Sequence, residues 1–127
     1  MPWDLDNERP IYLQLMERIQ QDIVSGVYKP GDKIPSVRDL ALDAAVNPNT
    51  MQKALSELER SGLLYSQRTS GRFITEDTEM LKNLKRDLAA EHIRNFFQKM
   101  RQLGFSDEET LKIIQETIKG ENHEFNT

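Results

Sequence analysis

The chain has 127 residues, 37% of them hydrophobic, a net charge of −4 and no cysteine. That length suits one domain, or a small domain with an appendage, around a compact but modest core. Disulfides and thiolate metal sites are excluded, no run approaches the roughly 18 apolar residues of a membrane span, and no signal-peptide pattern is present, so a cytoplasmic protein is expected.

Residues 1–9 are polar apart from a few positions and read as an arm whose Trp3 packs onto the domain. A helix begins at Pro10, where Tyr12, Leu15, Met16, Ile19 and Ile23 follow a 3.6-residue period, and Ser25-Gly26 ends it. Val27 to Asp32 hold the breaker pair Pro30-Gly31, and Lys33-Ile34 leads out as a short extended piece. Ser36 caps the next helix with Asp39 three residues on, a capping-box variant with a shorter acid. Val37, Leu40 and Ala41 face inward there, Arg38 points elsewhere, and Ala44-Ala45-Val46 connects to a third helix.

That third helix has both ends signposted. Asn47 is an N-cap residue type, Pro48 fits the first helical position, and Gly62 can take the positive φ that follows a C-cap. Met51, Ala54, Leu55 and Leu58 form one apolar stripe. The opposite stripe carries Asn49, Gln52, Lys53 and Ser56. Amides can grip an adenine edge with two hydrogen bonds, and Lys can serve a guanine or a phosphate. An amphipathic surface helix of no special function has the same periodicity, so the neighbours must decide.

They point one way. Two short helices with a tight turn between them make a helix-turn-helix candidate. Leu63–Ser66 and Arg72–Thr75 then read as strands with the loop 67–71 between them, a hairpin in the position of a wing. Its apolar residues close the core, while Arg68 and Arg72 flank a small polar tip suited to gripping a nucleic-acid backbone. The acidic total does not forbid this. Residues 28–75 hold seven basic and five acidic side chains, a local net of +2.

In this order the residues resemble the winged-helix domain of the GntR family of bacterial transcription regulators. The matching text is Pro10-Ile11-Tyr12-x-Gln14, Gly26, Lys29-Pro30-Gly31-Asp32-x-Ile34-Pro35-Ser36-x-Arg38-x-Leu40-Ala41, Val46-Asn47-Pro48-Asn49-Thr50, Ala54, Gly62-Leu63 and Gly71. Asn-Pro-Asn-Thr in a short chain is similar to the YtrA-type branch. Ala44-Ala45 departs from the Leu-Gly such sequences often carry, which removes the residue that takes positive φ freely. The resemblance implies DNA contacts from Arg38, Asn47, Asn49, Thr50, Gln52 and Lys53, and from the wing around Ser70-Gly71. By their chemistry Ser36 and Thr50 suit phosphates, while Arg38, Asn49 and Gln52 suit bases.

Beyond Glu76 the composition turns to helix formers. Leu81, Leu84, Leu88, His92, Phe96, Met100 and Leu103 recur at three or four residues, giving one long helix that Gly104 ends. Ser106 and Glu109 form a capping box for another helix, with Leu111, Ile114 and Ile118 on one face and Gly120 after it. Residues 1–76 are therefore expected to form a winged helix with its arm, 77–120 a helical dimerisation hairpin, and 121–127 a flexible tail. The fold class is mostly α with a small β-hairpin. So short a hairpin holds little private core. Leu81, Leu84, Leu88, Phe96 and Met100 are assigned to a face shared with a second copy, against the alternative of an appendage folded back on its own chain.

Catalysis is not expected. There is no Gly-rich phosphate loop, no acid pair embedded in apolar sequence, and no nucleophile beside an activating base. His92 beside Glu91 reads as a packed interface residue rather than a metal ligand, so neither metal nor cofactor is expected. Two functions of different class fit. One is a homodimeric regulator, a repressor by preference, that binds a palindromic operator in double-stranded DNA and controls, as the resemblance implies, a neighbouring transporter operon. The other is a winged-helix protein–protein adaptor, which would not need the amides and arginines of the third helix and wing. Any small-molecule effector is left open, and no membrane is involved.

Overall fold

A computed structural model describes residues 2–125, with side chains described as far as Glu121. The elements are α1 (Ile11–Val24), α2 (Val37–Ala44), α3 (Pro48–Arg60), β1 (Leu64–Gln67), β2 (Gly71–Ile74), α4 (Thr78–Gln102) and α5 (Asp107–Phe125). The chain divides into two compact units, residues 1–85 and 86–127.

In the first unit the apolar stripes meet as their spacing predicts. Leu15, Ile19 and Ile23 of α1, Leu40, Ala41 and Ala44 of α2, and Met51, Ala54, Leu55 and Leu58 of α3 are all buried. Leu63, Leu64, Ile74 and Ile34 close this core from the hairpin side. β1 and β2 pair antiparallel with Leu64 opposite Ile74, Tyr65 opposite Phe73, Ser66 opposite Arg72 and Gln67 opposite Gly71. Alternation then divides the hairpin into two faces. Leu64 and Ile74 enter the core, and Tyr65 stacks on Phe73 on the other side with ring centroids 5.6 Å apart. The extended piece around Lys33 adds a third rung against β2, with the Ile34 amide donating to the Arg72 carbonyl at 3.0 Å and the Ile74 amide to the Asp32 carbonyl at 2.8 Å.

The arm is tied down by polar contacts. Gln14 is buried, and its amide nitrogen donates to the Asp6 and Arg9 carbonyls while its oxygen accepts from the Asp6 amide. A buried amide with both ends satisfied fixes its partners without the cost of an orphaned polar group. Trp3 donates to Asp43 at 2.8 Å, and the Arg18 guanidinium lies 4.8 Å from its ring centroid. The arm packs as its tryptophan suggests.

The turn between α2 and α3 contains the one non-glycine residue with positive φ among those described. Ala45 stands at φ 57°, ψ 48°, so the helix ends in a left-handed residue without the glycine that usually provides it.

The first unit extends past residue 76, where composition alone sets the boundary. Met80, Leu81 and Leu84 of α4 pack against the winged-helix core, which carries the unit to Lys85. Leu81 and Leu84, assigned from sequence to a dimer face, are thus half-buried on their own domain.

In the second unit Gly104, at φ 96°, turns the chain between α4 and α5. The capping box forms in both directions. Ser106 Oγ accepts from the Glu109 amide at 3.1 Å, and Glu109 accepts from the Ser106 amide at 3.0 Å. That second bond holds the Glu109 carboxyl below its ordinary pKa, and the paired Arg101 does the same for Asp107. Thr110 is buried, its hydroxyl donating to the Ser106 carbonyl. α5 does not stop at Gly120, as the sequence suggests, but continues to Phe125. A lone glycine in a helix costs about 1 kcal/mol against alanine, which flanking helix formers can absorb. Of the expected tail 121–127, residues 126 and 127 lie outside the described residues.

Candidate nucleic-acid interface

The site begins with the way α3 is capped. Asn47 Oδ1 accepts from the Asn49 amide at 2.8 Å, and Pro48 occupies the first helical turn. Burial of Met51, Ala54, Leu55 and Leu58 turns the opposite face outward, so Asn49, Gln52, Lys53 and Ser56 are exposed and Thr50 is half-buried. Gln52 donates to Ser56 Oγ at 3.2 Å along this face. The Lys53 ammonium sits 3.9 Å from the centre of the Tyr12 ring, a cation–π contact that ties α3 to the start of α1.

α2 contributes its first turn. Ser36 Oγ accepts from the Asp39 amide at 3.1 Å, and Arg38 is exposed with no acidic partner within ion-pair distance among the described residues. At the wing tip Arg68, Ser70 and Gly71 are all exposed. Gly71 has φ 106°, which an L side chain would strain.

Arg72 differs from Arg68. Pairing opposite Ser66 puts it on the hairpin face that looks toward the C-terminal half of α3. Its side chain is 19% exposed, with Nε 3.8 Å from Glu59, and the Ser66 hydroxyl donates to the same carboxylate. The two arginines flank the tip in sequence, but in space Arg68 is exposed while Arg72 lies against α3, its buried Nε within ion-pair reach of Glu59 and without a hydrogen-bond partner. That ion pair links the wing to the helix whose exposed face carries the amides.

An open recess of about 740 Å³ separates the start of α2 from the wing tip, with Lys33, Ser36, Ser70, Gly71 and Arg72 in its walls. It brings Ser36 together with the wing residues. It also adds Lys33, which no local pattern singles out because its place depends on the rung it forms with Phe73. No group of three or more His, Asp or Glu side chains is placed to hold a metal among the described residues, and His92 is exposed on α4.

Physically this is a surface of exposed amides, hydroxyls and cations on a three-helix support. It can donate to phosphates and offer two-point hydrogen bonds to base edges.

Comparison with known proteins gives the same direction. Residues 11–74 match the family described as bacterial regulatory proteins, gntR family. An uncharacterized HTH-type transcriptional regulator of Bacillus subtilis, YhcF, is 40% identical over 120 residues, 91% of this chain and 99% of that one. The HTH-type transcriptional repressor YtrA of the same organism is 42% identical over 76 residues, 60% of this chain and 58% of its own. Among solved structures, a GntR family transcriptional regulator from Listeria monocytogenes has a TM-score of 0.81 at 38% identity, covering 88% of this chain and 98% of that one. The DNA-binding domain of AraR in complex with operator ORX1 has a TM-score of 0.53 at 31% identity, covering 57% of this chain and 93% of that one.

Proposed function

We propose that this chain, which belongs to the GntR family and is therefore a DNA-binding transcriptional regulator, is a repressor that binds a palindromic operator as a homodimer. The observation that carries this reading is the exposed face of α3, flanked by Arg38 and the wing and held open by the buried stripe behind it. Arg38, Asn49 and Gln52 read bases in the major groove. Ser36, Asn47, Thr50, Lys53, Arg68, Ser70 and Gly71 hold the backbone, and Arg72 seats the wing through Glu59. YtrA, named a repressor, supports the direction of control, and a neighbouring transporter operon is the target to examine first.

The second unit supports the dimer. Ile93, Phe96, Leu103, Leu111 and Ile118 are exposed, an apolar surface that an isolated helical hairpin has no reason to keep. Leu88, Phe96 and Met100 are the dimer residues we retain, while Leu81 and Leu84 serve the winged-helix core. A closed two-fold dimer carries two recognition helices to two half-sites. No cofactor enters this scheme, and it takes place in the cytoplasm.

The test is selection of bound duplexes from random DNA, followed by titration of the winner at increasing salt. A two-fold symmetric sequence whose binding falls steeply with salt is expected. Failure to enrich any sequence would favour the adaptor role, and an enriched site without symmetry would remove the palindrome.

A further inference from the structure

We infer that Lys33 is a further contact to the DNA backbone, gripping a phosphate at the recess between the start of α2 and the wing tip; the inference rests on the operator-binding reading above.

Three observations carry it. The first is placement. Backbone hydrogen bonds on either side, from the Ile34 amide to Arg72 and from the Ile74 amide to Asp32, pin Lys33 as an extra rung on the edge of β2. Ile34 is buried in the core, so alternation sends the Lys33 side chain to the outer face.

The second is direction. A Cβ built on Gly71 would lie 3.1 Å from Lys33 Cε and 3.9 Å from its Nζ. The aliphatic stem therefore crosses the wing glycine, and the ammonium rests at the tip rather than trailing into solvent. A bare backbone at residue 71 is what lets it do so.

The third is charge. Lys33 is exposed and has no acidic partner within ion-pair distance among the described residues. The other cation lining the recess, Arg72, is committed beside Glu59. Asp39 lines the same recess, but from α2, and the Asp32 carboxylate already accepts from the Lys29 amide. An unpaired ammonium beside the hydroxyls of Ser36 and Ser70 suits an oxyanion. It lies between two elements proposed to hold the backbone, in a recess that no α3 residue lines, so a phosphate is its partner and not a base.

The test compares Lys33→Gln, which removes the charge and keeps a long polar stem, with Lys33→Arg, which keeps both. Each is titrated by fluorescence anisotropy against the selected duplex and a scrambled duplex over a salt series. For Lys33→Gln we expect weaker binding by the same factor on both duplexes. Its log–log salt slope should be shallower by about 0.9 per bound chain. Lys33→Arg should keep the wild-type slope. An unchanged slope in Lys33→Gln, or a loss confined to the selected duplex, would overturn the assignment. Should Gln disturb the wing, as a lowered melting temperature would reveal, Lys33→Met supplies a second uncharged stem for the same reading. Wild-type protein that binds neither duplex in a salt-dependent way would instead remove the DNA reading itself.

Discussion

The two units are built from equally regular helices, yet they bury their apolar residues very differently. The first has buried side chains from α1, α2, α3 and the hairpin converging on one centre. The second has Thr110 as its one fully buried residue among those described, and it leaves Leu103 72% and Ile93 56% exposed. Helix propensity and capping build an element, but burial is what makes it stable, and by that measure only the first unit is complete in one chain. The proposed recognition surface sits on the first unit. The second unit keeps exposed apolar side chains, which the proposed dimer would cover.

The comparison breaks most sharply at the proposed dimer face. Leu88→Asp with Phe96→Asp places two carboxylates on that surface, and an unpaired buried ion costs several kcal/mol. Sedimentation should show monomers, while the core signals of residues 8–75 persist in amide spectra. Operator affinity should fall by orders of magnitude because each chain then engages one half-site alone. A double variant that stayed dimeric would mean the exposed apolar side chains cover something other than a second copy.

The next effect is in the first unit. Leu55→Ala deletes a fully buried side chain and should cost about 2–5 kcal/mol. Leu103→Ala removes the same atoms from an exposed site and should change the monomer by no more than about 0.5 kcal/mol. Urea unfolding of both gives the contrast directly. Similar losses would show that the second unit is better covered than its exposure indicates.

What could be read from the sequence follows the range of the interaction. The caps at Asn47, Pro48 and Ser106–Glu109 are local chemistry, and they form as their residue types predict. The stripe Met51, Ala54, Leu55, Leu58 needs only a 3.6-residue period. The rest depends on register or on pairs distant in sequence. That Arg72 faces Glu59 while Arg68 is free follows from pairing Ser66 with Arg72, a match set by loop length. Lys53 on Tyr12 joins residues from two helices, and Lys33 finds its place only once β2 has an edge. Gly120 misled for the opposite reason, since a local signal was outweighed by its helical neighbours.

Within the recognition surface the largest single effect falls on base reading. Gln52→Ala should weaken operator binding by about 1–3 kcal/mol and relax preference at one base pair in each half-site. The wing arginines should separate: Arg68→Ala weakens all duplexes without lowering the melting temperature, whereas Arg72→Ala lowers it by leaving Glu59 without its cation. Repeating the sequence selection with each variant checks the first statement, and paired melting and titration check the second. If Gln52→Ala kept its full specificity, the wrong face of α3 has been assigned.

The smallest effect compares the two interhelical turns. Both need a residue at positive φ, and they meet the need differently: Gly104 at 96° in the second unit, Ala45 at 57° in the first. An L residue in the left-handed region costs roughly 1–2 kcal/mol, and glycine avoids that while losing about 0.5–1 kcal/mol of extra backbone entropy on folding. Ala45→Gly should therefore stabilise the first unit by no more than about 1 kcal/mol, read as a small rise in its urea midpoint. Gly104→Ala is the mirror experiment. A Cβ there meets no atom within 4 Å, so the whole penalty is backbone conformation, and the second unit should lose about 1 kcal/mol. Because the α2–α3 turn sets the angle of α3, the proposed recognition helix, Ala45→Gly also tests whether the strain is used. A stabilised variant with unchanged operator affinity makes Ala45 a tolerated cost. If stability rises and affinity falls, the stiff alanine turn is what holds α3 at its reading angle.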